Sequence, residues 1–430
     1  MSAITITPAA RGLHGAFAVP GDKSIAHRAL LLGAIARGAT VVEGFAGGAD
    51  NRATLDACTA LGVAITTTGA TLRIDGRGWD GLRAPGATLD CRNSGTTIRL
   101  LAGLLAGRPF ASRLDGDASL RRRPMRRVLA PLARMGAAVV AEGADDRPPL
   151  RIAGRPLGGA AHDLPVASAQ VKSALLLAGL QASGVTSVTE PAPSRDHTER
   201  MLAAFGARLT RASRTVSLVG PQELRGTTVM LPGDFSSAAF LIVAALVVPG
   251  SELRLPSIGV NPTRTGLLDA LAMMGANVDV ELEPDAGGEP RATVVVRSAR
   301  LHGASIGGEL LLRAIDEFPI LCVAAACAEG RTEVRDAAEL RVKESDRVAV
   351  MAEMLGRLGA RVEELPDGLV IDGPTRFGSA TVDSHGDHRI AMAAAVAALV
   401  GSAPVTITDA ECADVSFPGF YDLLRRATAP

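Results

Sequence analysis

Residues 20–44 read PGDKSIAHRALLLGAIARGATVVEG, a polar loop, an apolar run, a glycine and a β-branched run in that order. The order returns in SGTTIRLLAGLLAGRPFASRLDG from Ser94, SAQVKSALLLAGLQASGVTSVTE from Ser168, SSAAFLIVAALVVPGSELRL from Ser236, EFPILCVAAACAEGRTEVRDA from Glu317 and HRIAMAAAVAALVGSAPVTITDA from His388. Each apolar run is about three turns long and apolar nearly all round, which predicts a helix buried on every side. Gly38, Gly107, Gly184, Gly250, Gly330 and Gly401 close the runs. Each is expected to end its helix in the left-handed conformation, with the Val/Thr alternation after it forming a strand.

A second repeat interleaves with the first. ACTALGVAI, PLARMGAAVV, MLAAFGARL, ALAMMGANVDV and MLGRLGARVEEL are amphipathic helical patterns closed by Gly62, Gly136, Gly206, Gly275 and Gly359, each followed by a period-two alternation. One buried helix, one amphipathic helix and several strands thus recur every ~72 residues, the 430 residues divided by six, longer than the common solenoid periods. A chain of this length outgrows one core, so the six units divide into two domains of three. The predicted domains are residues 20–228, and residues 1–19 with 229–430, with hinges near 17–20 and 225–232. Residues 3–19 read as two strands, ITI and FAV, belonging to the second domain.

Aromatics make up only 3% of the chain, so packing falls on Ala, Leu and Val. Forty-five basic and 45 acidic residues cancel, and no global field favours nucleic acid or an anionic membrane. Five cysteines, odd in number and without metal-ligand spacing, read as small buried hydrophobes in a reducing cytoplasm, with no metal site. The opening MSAITITPAARG has no apolar signal region, and apolar runs such as residues 238–248 fall short of the ~18 residues a membrane span needs. A soluble, cytoplasmic protein is expected.

The loops opening the buried helices carry the candidate chemistry. Lys23 and Ser24 stand where free N–H groups and the helix dipole attract an anion. Gly95, after Asn93 and Ser94, lets backbone approach a ligand. LRRRPMRRV over residues 120–128 holds five arginines, and without stacking aromatics it suits a small anion better than nucleic acid. Ser168, Ala169 and Gln170 open the third buried helix; Thr198 is a candidate cap for the helix that follows, and His197 reads as a capping or surface residue. Residues 285–290, DAGGEP, read as a turn insertion without chemistry. Asp316 and Glu317 open the fifth buried helix, RVKESDR at 341–347 precedes an amphipathic one, and His385 to Arg389 lead into the sixth. If the buried helices of each domain pack in parallel, Lys23, Gly95, Ser168, Asp316 and Arg389 lie on two rims. The expected site is a cleft lined by cations and helix dipoles, with few carboxylates for proton transfer, suited to substrates carrying several phosphates or carboxylates.

The motifs PGDKSIAHR, LDCRNSGTTIRLLAG, LRRRPM, VASAQVKSALLLAGL, SRDHTERML, PGDFSSAAF, IDEFPILCVAAA, LRVKESDR and GDHRIAMA run in order over nearly the whole chain, and together they resemble the 5-enolpyruvylshikimate-3-phosphate synthases. The resemblance implies an α/β enolpyruvyl transferase fold, two similar domains each of three βαβαββ repeats with buried parallel helices. It implies transfer of the enolpyruvyl group of phosphoenolpyruvate to the 5-hydroxyl of shikimate 3-phosphate, on the way to aromatic amino acids, with no cofactor. It further implies a monomer with no nucleic-acid or membrane partner, and glyphosate as an inhibitor.

By motif, the resemblance implies that shikimate 3-phosphate meets Lys23, Ser24, Arg28, Ser168, Ala169, Gln170, Ser194, Arg195, Asp316 and Lys343. Phosphoenolpyruvate is implied to meet Lys23, Asn93, Gly95, Arg123, Gln170, Arg347, His388 and Arg389. Asp316 is the expected base toward the hydroxyl and Glu344 the acid toward C3, beside Lys23, in an addition and elimination through a tetrahedral ketal. Many relatives carry a lysine just before the C-terminal Phe-Pro, whereas Val415 and Ser416 precede Phe417 and Pro418 here. RPMRR, SAQVK and NPTR resemble a subgroup that often tolerates glyphosate, while Gly95 leaves room for it; weak to intermediate inhibition is expected. The sibling UDP-N-acetylglucosamine enolpyruvyl transferases typically carry a cysteine on the loop of Arg121 to Arg123, and no cysteine occurs here between Cys91 and Cys322.

Overall fold

The computed structural model describes residues 3–429. The chain divides into two compact units, one of Gly21–Leu231 with Ala286–Glu289, the other of Met1–Pro20, Pro232–Asp285 and Pro290–Pro430.

Each repeat builds one small sheet of the same plan. In the second repeat Leu89–Asp90 runs parallel to Ala111–Asp115, which pairs antiparallel with Arg147–Ala153, and that strand with Ala138–Gly143. The third and fifth repeats copy it, around Gly184–Thr189 and Gly330–Val334. In the first and fourth sheets the parallel edge strand comes from a distant part of the chain. Leu224–Arg225 and Thr228–Met230 lie beside Ala36–Glu43 in the first sheet, and His14–Ala16 beside Glu252–Gly259 in the fourth. The sixth sheet has three strands, Ala380–Asp383 and Ala3–Ile6 flanking Val405–Thr408, with Ala3 opposite Thr408. The second N-terminal strand is therefore His14–Ala16 and not Phe17 to Val19. All three of its residues are exposed, so an apolar pattern pointed past it.

The six predicted buried helices are Lys23–Ile35, Gly95–Leu105, Ala169–Gly179, Phe235–Val247, Phe318–Cys327 and His388–Leu399. Nearly every residue of each is inaccessible, and they form the middle of two separate apolar cores. Five start with a side-chain cap, Asp22, Ser94, Ser168, Asp234 or Asp387, accepting from a first-turn N–H. Such a cap satisfies a donor that would otherwise be stranded in a core, and removing one costs ~1 kcal/mol. The remaining one, Phe318–Cys327, has Pro319 in its first turn, where an N–H would have had no partner. Their starts lie side by side. Gln170 Nε2 donates to Thr96 Oγ1 at 3.0 Å, and further along a Cβ on Gly103 would reach the Ala174 carbonyl, so these two helices run in the same direction. In the other unit, Ser236 donates to Glu317 and Arg389 to the Asp316 carbonyl.

The two families of glycine behave differently. Gly62, Gly136, Gly206, Gly275 and Gly359 have φ between 86° and 94° and directly follow the caps of the amphipathic helices. Each closes a Schellman turn; Gly62 N, for instance, donates to Thr59 O and Val63 N to Cys58 O. The expected left-handed termini of the buried helices do not form. Ala36 and Ala328 cap two of them with extended backbone, so the helix passes almost directly into its strand, while Val248, also extended, leads through a turn in which Gly250 has a φ of 75° before the strand at Glu252. Gly38, Gly184 and Gly330 lie later, within or at the start of those strands, opposite Gly76, Gly220 and Gly373. A Cβ on any of these three partners would come within 2.3 Å of a carbonyl oxygen at the buried helix's end. Glycine there is a packing requirement of helix against sheet.

Candidate active site

The candidate residues fall in two clusters, one in each unit. In the unit around Gly21–Leu231, Lys23 begins the first buried helix, and its Nζ lies 2.9 Å from Asp50 Oδ2. Asn51 Nδ2 donates to the Lys23 carbonyl at 3.0 Å. Beneath them runs a buried hydroxyl chain, in which His27 Nδ1 is 2.7 Å from Thr54 Oγ1, Thr54 is 2.7 Å from Thr97 Oγ1, and Thr97 donates to Ser94 Oγ at 2.8 Å. With Thr97 donating to Ser94, the chain is consistent with Thr54 donating to Thr97 and His27 donating from Nδ1. Burial lowers the His27 pKa to about 3, so the imidazole is neutral.

Arg28 is 4% exposed and held by all three nitrogens: Nε donates to Thr198 Oγ1 at 2.6 Å, and the two terminal nitrogens to Ser24 O and Ser173 Oγ at 2.8 Å each, which leaves a second N–H on each terminal nitrogen. Burial draws its guanidinium down to about 10, against the pull of Glu199, and it stays cationic at neutral pH. Thr198 is thus an acceptor for Arg28, and Asp196 occupies the cap position of that helix. Arg123 is buried and donates to Asn93 Oδ1. Gln170 Oε1 accepts from Arg99 at 2.8 Å, and Arg99 also reaches the Gly95 carbonyl at 3.2 Å. In the arginine-rich loop Arg121 is bound by Asp115, whose carboxyl that hydrogen bond holds below its usual range. Ser168 N and Ser194 Oγ both donate to Glu190 Oε1, at 3.2 and 2.5 Å.

His197 is not a surface residue. It is 1% exposed, with Nδ1 2.7 Å from Glu289 Oε1. Glu289, in the DAGGEP turn read as inert, is itself buried. Arg200 donates to the Gly288 carbonyl at 3.2 Å, so residues 286–289 are built into this unit.

In the other unit the centre is Arg347, 1% exposed, first residue of the helix Arg347–Arg357. Its Nε meets Asp387 Oδ2 at 2.8 Å, and its terminal nitrogens lie 2.8 Å from Glu344 Oε2 and 3.5 Å from Asp316 Oδ1. Burial pushes the Asp387 carboxyl up, but Arg347 and then His388 outweigh it and hold the group below the carboxylate range. Burial likewise opposes the Arg347 charge, and Asp387, then Glu344, raise its pKa over that penalty. Arg389 donates to the Asp316 carbonyl at 2.9 Å, with the Asp316 and Glu317 carboxylates at 3.7 and 3.9 Å. Lys343 pairs with Glu339 at 3.0 Å. The expected cation-rich rims are therefore charge-compensated. Lys23, Arg347, Arg389 and Lys343 each face a carboxylate, and an incoming anion would have to exchange with it. Sequence reading missed Asp50, Asp387 and Glu190 as partners; an arginine or lysine at a buried helix start was the available signal, since such a charge is almost never buried unpaired.

Six sheet-and-buried-helix repeats of one plan, the sixth reduced to three strands, with polar first turns gathered in each half, define the enolpyruvyl transferase class. NikO from Streptomyces tendae, a solved enolpyruvyl transferase, matches the fold with a TM-score of 0.77 over 99% of this chain and 96% of its own, at 21% identity. Within the class the sequence narrows further. The family model for EPSP synthase (3-phosphoshikimate 1-carboxyvinyltransferase) matches residues 8–424, and the chain belongs to that family. The 3-phosphoshikimate 1-carboxyvinyltransferases of Halorhodospira halophila and Geobacter sulfurreducens are 58% and 56% identical, each over 96% of this chain and over 94% and 97% of their own lengths. The solved EPSP synthase of Acinetobacter baumannii is 47% identical with a TM-score of 0.89, covering 99% of this chain and 98% of its own.

Proposed function

We propose that the chain transfers the enolpyruvyl group of phosphoenolpyruvate to the 5-hydroxyl of shikimate 3-phosphate. The hydroxyl oxygen bonds to C2 of phosphoenolpyruvate as the hydroxyl loses its proton and C3 gains one. The C2–O bond to phosphate then breaks as C3 gives up a proton, restoring the double bond and releasing phosphate. The observation that carries this reading is the position of Asp316 between Arg347 and Arg389. When an anionic substrate takes those two guanidiniums, Asp316 is released to accept the hydroxyl proton, while Glu344, also on Arg347, serves C3.

Lys23, Ser24, Arg28, Ser168, Ala169, Gln170, Ser194, Arg195, Asp316 and Lys343 are assigned to shikimate 3-phosphate. Lys23, Asn93, Gly95, Arg123, Gln170, Arg347, His388 and Arg389 are assigned to phosphoenolpyruvate. Guanidinium forks suit both the carboxylate and the phosphate of the smaller substrate. The segments at 17–20 and 225–232 are proposed as hinges between domains of residues 20–228 and of residues 1–19 with 229–430. A cytoplasmic monomer, weakly to moderately inhibited by glyphosate, completes the reading. No helix among the described residues is long and apolar enough to cross a membrane. Phosphate release from phosphoenolpyruvate should require shikimate 3-phosphate. Release with UDP-N-acetylglucosamine in its place would overturn the assignment.

A further inference from the structure

Lys172 is the fourth residue of the helix Ala169–Gly179, in a run otherwise made of core residues, and it is 4% exposed. Its Nζ lies 2.7 Å from Glu190 Oε2 and 2.8 Å from Glu199 Oε1, and both glutamates are as deeply buried. Three long ionisable side chains thus meet inside the protein, where two carboxylates outnumber one ammonium. Burying such a group is costly unless each oxygen and proton has a task. Burial opposes the Lys172 charge, but Glu199 and Glu190 outweigh it and raise its pKa, so the ammonium is permanent.

The tasks lead outward to one place. The second oxygen of Glu190 accepts from both Ser168 N and Ser194 Oγ. Glu199 is adjacent to Thr198, which accepts from Arg28 Nε and lies 2.5 Å from Ser173 Oγ, and Glu199 is the largest charge supporting Arg28. Oε2 of Glu199 is buried without a hydrogen-bond partner among the described residues, so its charge is unshielded there. Ser168, Ser194 and Arg28 come from three separate segments, and this cluster is what ties them together.

We propose that Lys172, Glu190 and Glu199 are positioning residues for the shikimate 3-phosphate subsite, with the ammonium fixing two carboxylates that in turn fix Ser168, Ser194 and Arg28. The proposal rests on the function assigned above. Glu190 and Glu199 touch no substrate; they act through the groups they hold, so their loss should appear in binding of one substrate and not the other. An anion would be repelled by Glu190 and Glu199 if they faced it, and the inward turn toward Lys172 is what makes two carboxylates compatible with a phosphate subsite.

The test is calorimetric binding of shikimate 3-phosphate, with Michaelis constants for both substrates, in the unaltered protein and in Glu190→Gln, Ser194→Ala and the double variant. Glu190→Gln should weaken shikimate 3-phosphate tenfold or more and leave the Michaelis constant for phosphoenolpyruvate within twofold. Ser194→Ala should add little on top of Glu190→Gln, because the carboxylate acts through that hydroxyl. Unchanged binding in Glu190→Gln, equal losses for both substrates, or additive effects in the double variant would each overturn the proposal. Should Glu190→Gln fail to fold, Glu190→Asp, which keeps the charge but withdraws it by one methylene, is judged by the same criteria. No binding by the unaltered protein would overturn the assigned function and this proposal with it; normal binding by Glu190→Gln overturns the proposal alone.

Discussion

Arg347 and Asp387 form an ion pair sealed from solvent, Nε to Oδ2 at 2.8 Å with side chains 1% and 0% exposed. Asp387 also accepts from Arg389 N at 2.9 Å and from Ser345 Oγ at 3.0 Å. One carboxylate therefore caps the sixth buried helix and anchors the arginine assigned to phosphoenolpyruvate. Asp387→Asn keeps an N-cap but leaves Arg347 short of a buried counter-charge, which costs about 3 to 5 kcal/mol. Urea unfolding should show that loss, and a change under about 1 kcal/mol would mean Glu344 and Asp316 suffice for Arg347.

Asp316 is the proposed base. Asp316→Asn should leave both substrates bound and lower turnover by at least ~100-fold, the scale of a lost acid–base group. Near-normal turnover would reassign the proton transfer to another group.

His27 makes stability depend on pH. Its folded pKa of about 3 lies below the ordinary imidazole value of 6.5, because burial, and then Lys23 and Arg28, outweigh Asp50. Between those values the unfolded chain binds the extra proton, so stability is full above 6.5 and falls as pH drops toward 3. At pH 5 the loss from this residue is about 2 kcal/mol. His27→Gln, although less stable at neutral pH, should lose that much less on going from pH 7 to 5. An unaltered pH slope would mean that His27 accepts a proton in the folded state.

Gly206 tests the Schellman turns without confounding contacts. Its φ is 86°, and a Cβ there would have nothing within 4 Å, so Gly206→Ala should cost the backbone term alone, about 1 to 2 kcal/mol. Gly378, equally open and without positive φ, is the control and should accept Ala with no loss. Equal stabilities for the two variants would contradict the turn geometry.

Gly95→Ala bears on glyphosate. The added methyl would stand 2.6 Å from an Arg99 nitrogen and 3.2 Å from one of Arg123, both at the ends of flexible side chains that can shift. The remaining crowding should fall on the longer ligand, weakening glyphosate roughly ten- to a hundred-fold, for a cost of about 1 to 3 kcal/mol. Phosphoenolpyruvate should lose less. Equal changes in inhibition constant and Michaelis constant would remove Gly95 as a discriminator.

The six buried helices were legible because unbroken apolarity over three turns has one structural meaning. Partners were not. Glu289 reaches His197 from 92 residues away, and no local pattern marks a carboxylate for burial in another repeat. Lys172 could have been flagged as a lysine inside a core helix, yet nothing nearby named Glu190 and Glu199 as its counter-charges. The rims looked cationic because arginines and lysines cluster in the loops that open the helices, while carboxylates such as Asp50 arrive from other segments. His14–Ala16 escaped notice because its pairing rests on backbone hydrogen bonds with no apolar face.

The three-stranded sixth sheet has a consequence for synthesis. Ala3 lies opposite Thr408, so during synthesis this strand must wait, unpaired, until a partner some 405 residues further along the chain has emerged. His14–Ala16 waits in the same way for Glu252–Arg254. The unit around Gly21–Leu231 has most of its own edge strands by the time Met230 emerges, and vectorial folding therefore favours it as the earlier of the two. Closing such distant pairings is entropically slow, which places the completion of the fourth and sixth sheets late in folding.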